Sequence, residues 1–251
     1  SEFYRSPWAL PEGFYFQNFV DAWEKANMGS FMLNSVIVTA LALIMLIVLA
    51  LPAAYVLARF KFRTSKFWNV MFMAGLFINV NYIVVPIFLM LSNGDTWLRQ
   101  TVGQPFFLNN LFVLALVYAA TALPFTIYLL SGYFKSLAKD YEEAAYVDGA
   151  GYFYTMVRII MPMAKPSIVT VILFNFLSFW NEYIISMTLL TKAELKTLPV
   201  GLMNLMAAQR SAVQYGQMYA GLVIVMLPTL ILYMCVQKKL TQGMTIGGLK
   251  G

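Results

Sequence analysis

Residues 33–57 read LNSVIVTALALIMLIVLALPAAYVL, inside an interval with no charged residue between Lys25 and Arg59. A helix crosses the hydrocarbon of a bilayer with about 20 apolar residues. This stretch is long enough, and its 3.6-residue polar period is weak because nearly every face is apolar. That pattern fits a helix surrounded by lipid and protein rather than one lying on a water-facing surface. Working outward, the intervals Lys66–Asp95, Arg99–Lys135 and Arg210–Lys238 are also free of charge between their ends. The reading is an all-α integral membrane protein, a polytopic helical bundle with five spans at 33–57, 67–91, 107–134, 167–190 and 216–237.

Composition supports this. The chain has 251 residues, 61% of them hydrophobic and 11% charged, against roughly 25% charged in soluble domains. So few charges cannot cover a water-facing surface of this size. The net charge of +6 does not point to nucleic acid, because the basic residues sit in short connections between spans. Arg59, Lys61, Arg63, Lys66, Lys135, Lys139, Arg158, Lys165, Lys238, Lys239 and Lys250 fall on one side; Arg5, Lys25, Arg99, Lys192, Lys196 and Arg210 fall on the other. The richer side is cytoplasmic by the positive-inside rule. That places segment 1–30 and the connection 191–215 outside, and tail 238–251 inside. Residues 1–30 hold neither a signal peptide nor a span, so a sixth helix is expected upstream of them.

Several chemistries are excluded. The chain has no histidine and one cysteine, Cys235, inside the last span. This removes the usual metal ligand and pH-tuned base, and leaves no pair for a disulfide. Pro52, Pro86, Pro124 and Pro228 fall within spans, where each removes a backbone donor and favours a kink. Ala50, Ala54 and Ala58 recur every fourth residue, a small stripe that permits close helix approach.

The longest inner connection, 135–166, reads KSLAKDYEEAAYVDGAGYFYTMVRIIMPMAKP. Helix formers run from Ser136 to Val147. Gly149 and Gly151 mark a turn, where glycine permits positive φ. A second short amphipathic helix spans Tyr152 to Ile160 and stops before Pro162. Ala144, Ala145 and Gly149 leave a low surface on which another protein can pack, and Asp140, Glu142, Glu143 and Asp148 give it negative charge. From composition alone, an interfacial amphipathic loop without a partner is an equal alternative.

The spacing of this loop is more specific. Glu143-Ala144-Ala145, three residues, Gly149, nine residues, Ile159, one residue and Met161-Pro162 resembles the EAA loop of binding-protein-dependent ABC importers. That family usually has leucine where this chain has Met161, and often a proline before the acidic pair, where this chain has Ala138-Lys139-Asp140. Asn34-Ser35, Ala54-Tyr55 to Arg63, Trp180-Asn181-Glu182, Thr197-Leu198-Pro199-Val200-Gly201 and Gly243-Met244-Thr245 to Lys250-Gly251 extend the resemblance to carbohydrate permeases of the maltose type, most similar to the six-helix MalG-like partner. The resemblance implies one transmembrane domain over 1–251. It comprises the external segment 1–30, three spans in 33–134, the coupling loop 135–166, two spans in 167–237 and the tail 238–251. It implies a second homologous permease subunit, two ATPase subunits, an extracytoplasmic solute-binding protein, a sugar or oligosaccharide substrate, and a bacterial or archaeal inner membrane. It also implies that the tail reaches between the ATPase subunits. The chain has no G-x-x-x-x-G-K-[ST] sequence, so ATP and Mg belong on the ATPase and this chain is a transport subunit without catalysis or cofactor of its own. The residues implied for ATPase coupling are Glu143, Ala144, Ala145, Asp148, Gly149, Gly151, Ile159 and Pro162.

A pathway is read from polar residues in the spans. Glu182 interrupts the fourth, where a charge costs on the order of 2.5–3.5 kcal/mol, so it faces a water-filled cavity or a partner. Asn175, Trp180 and Asn181 stand near it in sequence, and Asn79, Asn81 and Tyr82 are candidates for the same cavity. Aromatic faces with amide and carboxylate groups suit sugar hydroxyls. The alternative for Glu182 is a structural contact near the outer boundary or with a neighbouring subunit. Three other readings remain: an ABC importer for a non-sugar solute, an ion-coupled secondary transporter, and a membrane scaffold. Ion coupling favours several intramembrane carboxylates, whereas the reading above places only Glu182 in a span.

Overall fold

The computed structural model describes residue 13 and residues 15–24, 27–212 and 215–248. Every regular element among them is helical. A short α1 (Gln17–Glu24) leads into α2 (Met28–Arg59). Next come α3 (Ser65–Gly75), α4 (Val80–Thr101) and α5 (Leu111–Ser136). The connection at 135–166 holds α6 (Asp140–Val147) and α7 (Tyr152–Met163). The rest is α8 (Lys165–Trp180), α9 (Ile184–Leu189), α10 (Leu198–Ala212) and α11 (Tyr215–Gly248). Residues 1–12, 14 and 25–26 of the segment read as external, residues 213–214, and the last tail residues, 249–251, lie outside the described residues.

Helices α2, α5 and the Tyr215–Cys235 part of α11 are each long and apolar enough to cross a membrane. Two bent pairs complete the set: α3 with α4 at 104°, and α7 with α8 at 75°. Counting each pair as one crossing gives five, the number expected from the sequence.

The bends correct the expected boundaries. The second span does not run unbroken over 67–91. Gly75 ends α3 where an added Cβ would lie 2.8 Å from Pro124 Cγ of α5, and Asn79 then caps α4 by accepting from Asn81 N at 3.0 Å. The fourth span does not reach 190, because α8 stops at Trp180 and α9 begins afresh at Ile184. The connection at 191–215 contains α10. The second loop helix does not stop before Pro162 but continues to Met163, with residues 155–160 in wide π-helical turns. Proline lacks the N–H of a regular ladder and crowds the carbonyl four residues back, and a π segment in front of it relieves that conflict. The last helix continues to Gly248, past the tail boundary at 238.

Packing follows the small-residue stripe. Ala42, Leu46, Ala50 and Ala54 of α2 are fully buried in one core with Leu114, Tyr118 and Leu130 of α5. The approach is close enough for Ser131 Oγ to donate to Ala54 O at 3.2 Å. Such contacts between helix backbones need small side chains. A second core gathers Ala22, Met28, Phe31, Trp180, Leu198, Leu202, Ala220 and Ile224 from α1, α2, α8, α10 and α11. Ile44 and Val48 of α2 face outward and are exposed, as suits lipid or another subunit.

Candidate functional site

The loop 135–166 folds as two short helices joined by a tight turn. Asp140, Glu142 and Glu143 occupy the first turn of α6, where the helix dipole favours negative charge. At its other end, Gly149 N donates to Tyr146 O at 3.1 Å and Ala150 N to Ala145 O at 2.9 Å. Gly149 has φ +80°. This pair of bonds with a left-handed glycine is a Schellman stop, which satisfies carbonyls that the helix leaves free. A Cβ on Gly149 would meet nothing within 4 Å among the described residues, so the glycine is required by its backbone conformation. Gly151, the second glycine of the turn, is extended at φ −76°, and its carbonyl accepts from Thr155 N and Oγ1 at 2.9 and 3.1 Å.

The two faces of α6 differ. Glu142 and Ala145 point inward and are buried, whereas Glu143, Ala144, Asp148 and Gly149 are exposed. Val147 (87% exposed) and Phe153 (75%), with Tyr141, Tyr152 and Tyr154, add an apolar surface beside them. Exposed apolar groups gathered on a polar loop mark an interaction surface. Of the remaining coupling candidates, Gly151 and Pro162 are exposed, and Ile159 packs against the main core. Burial pushes the Tyr146 phenol above its ordinary value; the Tyr55 hydroxyl opposes that rise and the Glu142 carboxylate adds to it.

A cavity of about 380 Å³ lies among α4, α5, α8 and α9, lined by Asn81, Tyr118, Thr121, Phe125, Phe174, Asn175, Ser178, Phe179 and Glu182 among others. Glu182 stands in the break between α8 and α9. Its carboxylate accepts from Tyr118 Oη at 2.7 Å, Ile185 N at 2.8 Å and Ser186 N at 3.1 Å. It therefore caps the free N–H groups of α9 and ties that turn to α5. Asn175 is buried and donates to Thr126 Oγ1 at 3.1 Å and Val171 O at 2.8 Å.

The other pathway candidates do not line this cavity. Asn79 is the cap of α4 and Tyr82 is 82% exposed. Trp180 is buried in the second core, stacked on Phe176 at 5.5 Å, with its indole N–H donating to Val225 O at 3.2 Å. Asn181 donates to Leu177 O at 2.7 Å and lines a separate, apolar groove beside α11.

Three organising residues were missed. Tyr118 partners Glu182. Asp95 is buried and accepts from Phe106 N, Phe107 N and Leu108 N at 2.7, 2.7 and 2.9 Å. Asn109, at φ +55°, accepts from Thr191 N and Lys192 N at 2.7 and 2.8 Å. The detectable signal was local: an aspartate inside an apolar helix and an Asn-Asn pair before a span both mark backbone caps.

A polytopic bundle of broken and unbroken apolar helices, carrying a two-helix loop with an exposed apolar face at one end, is the architecture of a multi-pass membrane protein. Residues 47–246 match the family described as the binding-protein-dependent transport system inner membrane component, and the chain belongs to that family. It is 35% identical over 246 residues, 98% of this chain and 78% of the relative, to the diacetylchitobiose uptake system permease protein NgcG of Streptomyces coelicolor. It is 28% identical over 249 residues to the melibiose/raffinose/stachyose import permease protein MelC of Bacillus subtilis, covering 99% of this chain and 86% of that one. The fold is also that of a subunit in the crystal structure of a bacterial ABC transporter involved in import of the acidic polysaccharide alginate. There the TM-score is 0.73 at 24% identity, over 91% of this chain and 81% of the other. The family places the chain in the inner membrane as an ABC permease, in place of the ion-coupled and scaffold readings.

Proposed function

We propose that this permease forms half of the translocation pathway for a sugar or oligosaccharide, and that its loop at 135–166 couples the pathway to a separate ATPase. A second homologous permease supplies the other half, two ATPase subunits bind ATP and Mg on the cytoplasmic side, and a solute-binding protein delivers substrate from outside. The observation that carries the reading is the loop: an EAA-type spacing whose Glu143, Ala144 and Gly149 all lie on the exposed side of a glycine-stopped helix. A short rigid element docked on a moving partner can bias a two-state bundle. The sugar relatives support the cargo, as does a cavity that combines Phe125, Phe174 and Phe179 with Asn81, Asn175 and Glu182.

The test is to co-express the chain with its candidate partners, purify the assembly, and measure ATP hydrolysis against a panel of saccharides with binding protein. Retained ATPase subunits and hydrolysis stimulated by a saccharide-loaded binding protein are expected. A permease that purifies without any ATPase contradicts the reading.

A further inference from the structure

We infer that Arg59 and Glu142 are positioning residues for energy coupling, their buried ion pair fastening α6 to the cytoplasmic end of α2. Arg59 is the last residue of α2. Its Nε lies 3.2 Å from Glu142 Oε1, with the side chains only 4% and 10% exposed. The contact is ionic and not a well-aligned hydrogen bond, and among the described residues neither of these two atoms has another hydrogen-bond partner. Arg59 Nη2 also donates to Leu137 O at 2.9 Å and Ala138 O at 3.4 Å, the carbonyls that follow α5. One guanidinium thus meets the ends of α2 and α5, where helix dipoles favour a cation, and the first turn of α6, where they favour the carboxylate.

A chain of aromatic contacts links the same elements. Phe134 of α5 meets Tyr55 of α2 at 5.7 Å, Tyr55 meets Phe60 at 5.7 Å, Phe60 meets Tyr152 of α7 at 5.7 Å, and Tyr152 meets Tyr146 of α6 at 5.1 Å. The Tyr55 hydroxyl lies beside Glu142 and Tyr146. An exposed pair at this junction would separate at little cost. A dry one resists separation, because parting the charges leaves each buried without a partner. Glu143, the next residue, faces outward. Two adjacent glutamates thus serve opposite faces of α6: Glu143 is available to a docked subunit, and Glu142 passes displacement of the helix to α2. This rests on the coupling role proposed for the loop.

The experiment uses the full complex in proteoliposomes with binding protein. It compares wild type with Arg59→Met, Glu142→Met, the double variant and Gly149→Asp, measuring assembly, ATP hydrolysis and uptake. The expected result is that each single variant assembles and hydrolyses ATP while uptake per ATP falls about tenfold, within the usual range of coupling energies. The double variant should be no worse than either single. A wild-type ratio in both singles, or losses that add in the double, overturns the inference. If the singles fail to assemble, the double decides, because it leaves no unpaired buried charge. Assembly with reduced uptake per ATP then supports the role. Failure to assemble, or a wild-type ratio, overturns it. Gly149→Asp separates the two levels: if it leaves uptake intact, the coupling reading falls; if it alone abolishes uptake, only the ion-pair inference falls.

Discussion

At the residue scale, the carboxylate of Glu182 shows how one side chain can reconcile a broken helix with the interior of a membrane bundle. Its three hydrogen bonds satisfy donors that the break exposes, and it still borders the cavity. Tyr118→Phe removes the phenolic donor alone. It should destabilise the protein by about 1.5–3 kcal/mol, the range for a hydrogen bond to a charged group, seen as a lower Tm of the purified complex. An unchanged Tm means that this bond contributes nothing. Glu182→Ala removes the cap as well as the cavity carboxylate, so uptake should fall further than assembly of the complex; normal uptake, or a complex that falls apart, contradicts a pathway role. The glycine turn of the loop was legible because its signal is local: helix formers followed by Gly149. The partner of Glu182 was not, since Tyr118 lies 64 positions away. For the same reason Trp180 read as a cavity residue although its ring packs into a core built from α10 and α11.

At the element scale, the long apolar helices were readable and the short ones were not. Charge-free length alone identifies α2 and α5, because little except lipid tolerates such surfaces. Helix α10 has 15 residues, about 22 Å at 1.5 Å per residue, too short to cross. A search for spans passes over it, although Leu198, Leu202 and Leu205 recur on one face and are buried. Side-chain caps from elsewhere anchor its start: Ser35 Oγ accepts from Leu198 N at 2.8 Å, and Asn34 Nδ2 donates to Glu194 O and Lys196 O at 2.9 and 3.0 Å. The Asn34-Ser35 and Thr197–Gly201 motifs, noted separately in the sequence, are therefore one contact. Gly201 belongs to it because an added Cβ would collide with the Phe31 ring. Gly201→Ala should cost about 1–3 kcal/mol by overpacking and lower the yield of folded protein, with Phe31→Leu in the same chain restoring part of it. Full yield from Gly201→Ala alone contradicts this packing of α10 on α2.

At the scale of the whole molecule, the contacts sort the chain into two ends. Asn34 with Glu194 and Lys196, and Asn109 with Thr191 and Lys192, lie at one. Arg59 with Leu137 and Glu142 lies at the other, the end that carries Lys61, Arg63, Lys66, Lys135 and Lys139. The division follows the grouping of the basic residues, which was legible from charge, whereas the bends between α3 and α4 and between α7 and α8 depend on contacts that distant residues supply. In a Cys235→Ala background, an impermeant thiol reagent on intact cells should label Ala208→Cys and spare Ser136→Cys; the reverse pattern inverts the orientation. The central claim is that the loop at 135–166 passes work from an ATPase to this pathway, and Gly149 is where it is most exposed to test. Replacing it forces a side chain into a left-handed backbone, at about 1–2 kcal/mol for most residues and less for Asp, and adds bulk and charge next to Asp148 on the exposed face. Neither change touches a span. The decisive measurement is ATP-driven saccharide uptake by proteoliposomes holding the complete complex with Gly149→Asp, alongside the amount of ATPase subunit retained. The account predicts normal membrane insertion with uptake abolished and the ATPase uncoupled or lost; wild-type uptake with the ATPase fully retained contradicts it.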